Sequence, residues 1–130
     1  MSNVEIERYR GESSNLPFSE AVRVGNVLYL SGQIGLDNSG KLVSGGIAAE
    51  TRQTLENIKV VLERYGSSME KVVKCTVMLA DIREWDEMNK VYLTFFHNEL
   101  PARSALGASG LALMARVEIE CIAVVDEGSR

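Results

Sequence analysis

The stretch "EKVVKCTVMLADIREWDEMNKVYLTFF", Glu70–Phe96, changes its period once, at Asp81. Before that point β-branched residues crowd together (Val72, Val73, Thr76, Val77), which reads as a strand over Lys71–Ala80. After it, Trp85, Met88, Tyr92, Phe95 and Phe96 recur at helical spacing. Asp81 as N-cap and Glu84 three residues on form a capping box with aspartate in place of Ser/Thr. Pro101 is expected to stop the helix.

Upstream, Ile47, Thr51, Leu55, Ile58, Leu62 and Tyr65 predict another helix, with Gly66 as its C′ residue. "FSEAVRVGNVLYLSG" reads as two strands joined at Gly25-Asn26. "VEIERYR" predicts a first strand over Val4–Arg8, and "GESSNLP" and "LDNSGK" are loop and turn. Downstream, "ARSALGAS" and "RVEIECIAVV" are the last two strands. The order β-β-β-α-β-α-β-β is that of one α+β domain spanning residues 1–130.

Val73, Cys75, Val77 and Leu79 fall on one face of their strand, Val72, Thr76 and Met78 on the other. In the last strand Val117, Ile119, Cys121, Ala123 and Val125 face one way, Glu118, Glu120, Ile122 and Val124 the other. Strands apolar on both sides need both sheet faces covered, and two helices cover about one. The second face is therefore expected to pack on another subunit, in a homo-oligomer.

The formal charge is −4 with both signs interspersed, which argues against nucleic acid or an anionic membrane as partner. No apolar run approaches the ~20 residues of a membrane helix. "MSNVEIERYR" lacks the apolar core of a signal peptide, and the two cysteines, Cys75 and Cys121, make no disulfide framework, so a cytoplasmic protein is expected. One histidine, His97, and two cysteines on apolar strand faces make a poor metal set, so no metal is expected. "GLDNSGK" matches most of a phosphate-binding loop, but Leu42 stands where Ser/Thr should hold magnesium, and a hairpin loop is the expected reading.

Two features carry chemistry. Glu118 and Glu120 share one strand face, either as a strand end leaving for water or as carboxylates in a cleft between subunits, poised for acid/base work. In "LPARSALGAS" Arg103 has no acidic residue within three positions. It is either a surface arginine at a strand start or a planar fork for a small carboxylate.

Together these residues resemble a known family. "PARSALGASGLALMARVEIE", "AVRVGNVLYLSGQIGLD" and the helix–strand–helix middle are similar to the RidA (YjgF-like) reactive intermediate deaminases, from about Pro17 to Val125. The resemblance implies a chorismate-mutase-like (bacillus-type) α+β fold, assembled as a homotrimer with a cleft at each subunit interface. It implies hydrolysis of enamine and imine acids such as 2-aminoacrylate to 2-keto acids and ammonia, without metal or organic cofactor. Carried over residue by residue, Arg103 would bind the substrate carboxylate and Glu118 would position or activate water. Gly32 would let backbone approach the ligand, and Asn89 and Phe18 would lie near the cleft. The family often has tyrosine at Phe18, a lost hydroxyl worth about 0.5–1.5 kcal/mol if it bonded the ligand, and glutamine at Glu20. Ala105 stands where some relatives carry cysteine, and "ALGASGLALM" marks a subgroup. Two further readings stand beside deamination: a trimeric module that binds small carboxylates without turnover, and the ribonuclease activity reported for some relatives, which the acidic balance and single histidine disfavour.

Overall fold

The computed structural model describes residues 4–11 and 14–126. Residues 1–3 of the N-terminal segment, 12–13 of the "GESSNLP" loop and the end of the chain from 127 lie outside the described residues.

Six strands form one mixed sheet in the order β1-β2-β3-β6-β4-β5. They are β1 (Ile6–Tyr9), β2 (Ala21–Val24), β3 (Val27–Leu30), β4 (Val72–Leu79), β5 (Ala102–Gly107) and β6 (Val117–Val124), with α1 (Gly46–Arg64) and α2 (Trp85–Phe95) between them. The predicted element order is the observed one, although β1 begins two residues later than expected. Every pairing is antiparallel except β4 with β5, which is parallel, and α2 is the crossover such a pairing needs.

At the Gly25-Asn26 turn Gly25 takes φ +59°, which glycine adopts without Cβ strain. At the far end of α1, Gly66 takes φ +85°. Gly66 N–H donates to the Glu63 carbonyl and Ser67 N–H to that of Leu62, a Schellman closure around the predicted C′ glycine. "GLDNSGK" closes on itself. Asp37 Oδ1 accepts from Ser39 N at 2.9 Å and Lys41 N at 3.1 Å, so a carboxylate occupies the loop where a phosphate would need donors.

Three expectations need correction. The predicted capping box is only half made. Asp81 accepts from Arg83 N, but it caps a 3₁₀ turn, Ile82–Glu84, and Glu84 bonds Arg116 Nη1 at 2.9 Å instead of reaching back. Pro101 does not end α2, because the chain is already extended at Phe96 (φ −126°). A bulge in β4 between Val72 and Lys74 exchanges two faces, burying Val72 and exposing Val73, the reverse of strict alternation.

Among the described residues, the helices cover only one sheet face. Along β6 Val117, Ile119, Cys121 and Ala123 are buried with Ile47, Leu55, Ile58, Leu62, Met88 and Tyr92 of the helices in one core. The opposite face stays open. Its cross-strand rows run Ile6–Val24–Val27–Val124 and Val22–Tyr29–Ile122, with Tyr29 46% and Val124 40% exposed.

Glu20, one of the departures noted in the sequence, turns inward at the end of α1. Its Oε1 accepts from Arg64 Nη1 at 2.6 Å and Tyr65 Oη at 2.8 Å, and the Tyr65 ring stacks on Tyr9 at 4.4 Å. A carboxylate here ties β2 to α1 rather than lining a cleft. Glu20→Ala, which strips acceptors from both partners, should lower unfolding free energy by about 1–3 kcal/mol in urea melts.

Candidate functional site: a guanidinium and a carboxylate on opposite faces of the sheet

Arg103 is the second residue of β5. Its parallel register with Cys75 turns the side chain to the helix side. There α2 presents Trp85, Asn89 and Tyr92, spaced four and three apart and hence on one stripe. Arg103 Nη1 donates to Asn89 Oδ1 at 2.7 Å. The guanidinium carbon lies 4.7 Å from the Tyr92 ring centroid and 5.7 Å from that of Trp85. Among the described residues no carboxylate pairs with Arg103. Its charge is held by neutral groups alone.

Glu118 lies on the other face. It pairs in register with Met78, one step out of phase with the buried Val117 and Ile119. Gly32 lies against it so closely that a Cβ there would sit 2.1 Å from Glu118 Oε2. Gly32 is held by its neighbours, since Gln33 exchanges both backbone hydrogen bonds with Ile119 and Ser31 Oγ donates to the Ser19 carbonyl. Phe18, 44% exposed, precedes that Ser19 tie at the same end of the hairpin. Burial, and then the neighbouring Glu120 charge, push the Glu118 carboxyl above its ordinary value.

Four of the five residues singled out from sequence thus fall into two clusters. Arg103 and Asn89 share one face at the β5 edge; Gly32 and Glu118 share the other side of the sheet, and Phe18 is exposed in the segment before β2. Within one chain the clusters do not meet. The sequence places Trp85 and Tyr92 on the apolar stripe of α2, at helical spacing, and gives no sign of them as walls of the Arg103 cluster. Their spacing is the signal, but it becomes legible only with the β4–β5 register. Ala105 shares the Arg103 face and packs against the core. Cys75 and Cys121 are buried, with sulfurs 3.3 Å apart, and among the described residues no group of His, Cys, Asp or Glu is arranged to hold a metal. His97 lines a separate groove of about 700 Å³ with Arg52, Lys59 and Glu70, which Arg103 does not line. No helix among the described residues is long and apolar enough to cross a membrane.

A mixed sheet covered on one side by two helices, with a guanidinium on that side and a crowded carboxylate on the other, defines the class: a small α+β domain. The chain belongs to the YjgF/RidA family, whose model, described as endoribonuclease L-PSP, matches residues 12–125. It is 46% identical over 109 residues to the 2-iminobutanoate/2-iminopropanoate deaminase of Mus musculus, covering 83% of this chain and 81% of that one. The Homo sapiens protein of the same name is 44% identical, over 83% and 80%. The crystal structure of RidA from an Antarctic Psychrobacter superposes with TM-score 0.82 at 32% identity, covering 96% of this chain and all of that one.

The Glu118 shift has a consequence for stability. A carboxyl whose folded pKa is raised binds its proton more tightly in the native state. Its charging therefore costs stability as pH rises through the ordinary glutamate range, and the cost persists above the folded value. Glu118→Gln should accordingly be more stable than wild type at pH 7 and lose that advantage at about pH 4. Urea unfolding at both pH values and one protein concentration checks this.

Proposed function

We propose that the chain hydrolyses small 2-imino and enamine acids, of the 2-aminoacrylate type, to 2-keto acids and ammonia. The observation that carries this reading is the charge of Arg103, held in place without a carboxylate partner among the described residues. The fork left open by Asn89 suits the carboxylate of a 2-imino acid, bound through parallel hydrogen bonds. That fixes C2 and turns an encounter into an oriented attack. Glu118 takes a proton from water as its oxygen bonds to C2, and returns one to the nitrogen as the C–N bond breaks. A carboxyl titrating above its ordinary range suits both steps. Water is the only co-reactant the chemistry needs. The sequence similarity to the mouse and human deaminases supports the same reaction.

The two clusters face opposite sides of one sheet, so a ligand a few atoms long reaches both only where two chains meet. In this reading one subunit supplies Arg103, Asn89 and Trp85, and its neighbour supplies Gly32, Glu118 and Phe18. A head-to-tail arrangement repeats such a contact around a closed ring. A homotrimer of the chorismate-mutase-like type does so, and the apolar open face of each sheet gives it surface to bury. The cytoplasm, where pyridoxal-phosphate enzymes release such intermediates, is the expected setting. Phe18 would border the part of the cleft that receives the substrate side chain.

Imine generated in situ by a threonine dehydratase should vanish faster with the protein than without it. Arg103→Ala should lower kcat/KM by about 100-fold, two charge-assisted hydrogen bonds being lost. Arg103→Ala and Glu118→Ala chains, unfolded together and refolded as mixed oligomers, should regain activity at about a quarter of the sites, those pairing one intact Arg103 with one intact Glu118. No rate enhancement by wild type would leave a carboxylate-binding module, and no recovery on mixing would place both residues in one chain's site.

A further inference from the structure

We propose that Tyr92 and Asn89 are positioning residues that hold Arg103 by an aromatic face and an amide oxygen, leaving its whole positive charge for the substrate carboxylate. The inference rests on the deaminase reading of the Arg103 site and assigns its supporting residues.

Tyr92 is 4% exposed, with its hydroxyl buried beside the Cys75 thiol and its ring turned to Arg103. One side of Tyr92 meets the core, with Phe96 at 4.8 Å between centroids. The Arg103 guanidinium lies over the ring at 4.7 Å, well inside the range of a cation–π contact. Burial first, and then the Cys75 thiol nearby, push the phenol far above its ordinary value, so the ring stays neutral.

Asn89 completes the arrangement. Its Oδ1 takes one N–H of the fork at 2.7 Å, and Trp85 stands 5.7 Å off as a looser wall. A guanidinium has five N–H donors, so one bond leaves a pair free for a carboxylate. What matters is that these contacts carry no formal charge. An aspartate at position 89 could accept the same hydrogen bond, but it would neutralise Arg103 and repel an incoming anion. A partner chosen for stability alone would have no reason to avoid that charge, because an Arg–Asp pair is the stronger contact.

The test compares Tyr92→Leu, Tyr92→Phe and Asn89→Asp with wild type, reading melting temperature, 2-oxobutanoate affinity by calorimetry, and KM and kcat on the imine. Tyr92→Leu should weaken keto-acid binding and raise KM by about 10-fold with kcat much less changed. Tyr92→Phe, which restores the ring without the hydroxyl, should rescue that loss. Asn89→Asp should melt no lower than wild type, yet bind 2-oxobutanoate about 10-fold more weakly or worse. Wild-type-like binding in Asn89→Asp, or failure of Tyr92→Phe to rescue, would overturn the proposal. If Tyr92→Leu does not fold, Asn89→Asp on the half-buried face of α2 decides. Wild type that binds the keto acid but turns over no imine removes the deaminase reading and leaves the cradle standing; wild type that binds no keto acid removes both.

Discussion

The parallel pairing of β5 onto the edge of β4 is the contact on which the rest depends. In that register Arg103 stands beside Cys75 and points to the helices, where α2 can grip it. A slip of one residue would turn Arg103 onto the open face and bring Ser104 to the Asn89 amide, because side chains alternate along a strand. The connection that allows the pairing is α2 itself. The helix that carries the chain from β4 to β5 therefore also supplies the groups that hold the arginine β5 delivers.

β6 sets the opposite polarity. It lies between β3 and β4 in the middle of the sheet, and its strict alternation buries Val117, Ile119 and Cys121 while presenting Glu118 and Glu120 outward. Glu118 is crowded by Gly32, whose missing side chain is what admits the carboxylate. Covering a six-stranded sheet on one face by two helices leaves apolar rows open on the other. A sheet in that state has a reason to associate, since burying apolar surface is the main favourable term in subunit contact. The same geometry that divides the polar groups between two faces thus supplies the surface that could reunite them.

Much of this was legible in the sequence. The change of period at Asp81, the four-and-three spacing from Ile47 to Tyr65, and Gly66 as the helix terminator are local signals, and each was realised. The misreadings came where distant partners override local preference. Glu84 favours Arg116, more than thirty residues away, over its own cap. The bulge at Val73 answers to the β6 register, which strict alternation within one strand cannot contain. Glu20, which stands out in the sequence only as a departure from the family's glutamine, is a tie to Arg64 and Tyr65 more than forty residues on.

By itself the sequence determined the α+β order, the two-sided apolar character of the central strands, and which polar residues stand out against it. Those properties follow from periodicity and composition, which act over a few residues. Only the tertiary structure decided that Arg103 and Glu118 occupy opposite faces, that Trp85, Asn89 and Tyr92 converge on one guanidinium, and that Glu20 serves the fold. Such facts depend on strand register and on which edge β5 joins, and a register is a property of two strands together.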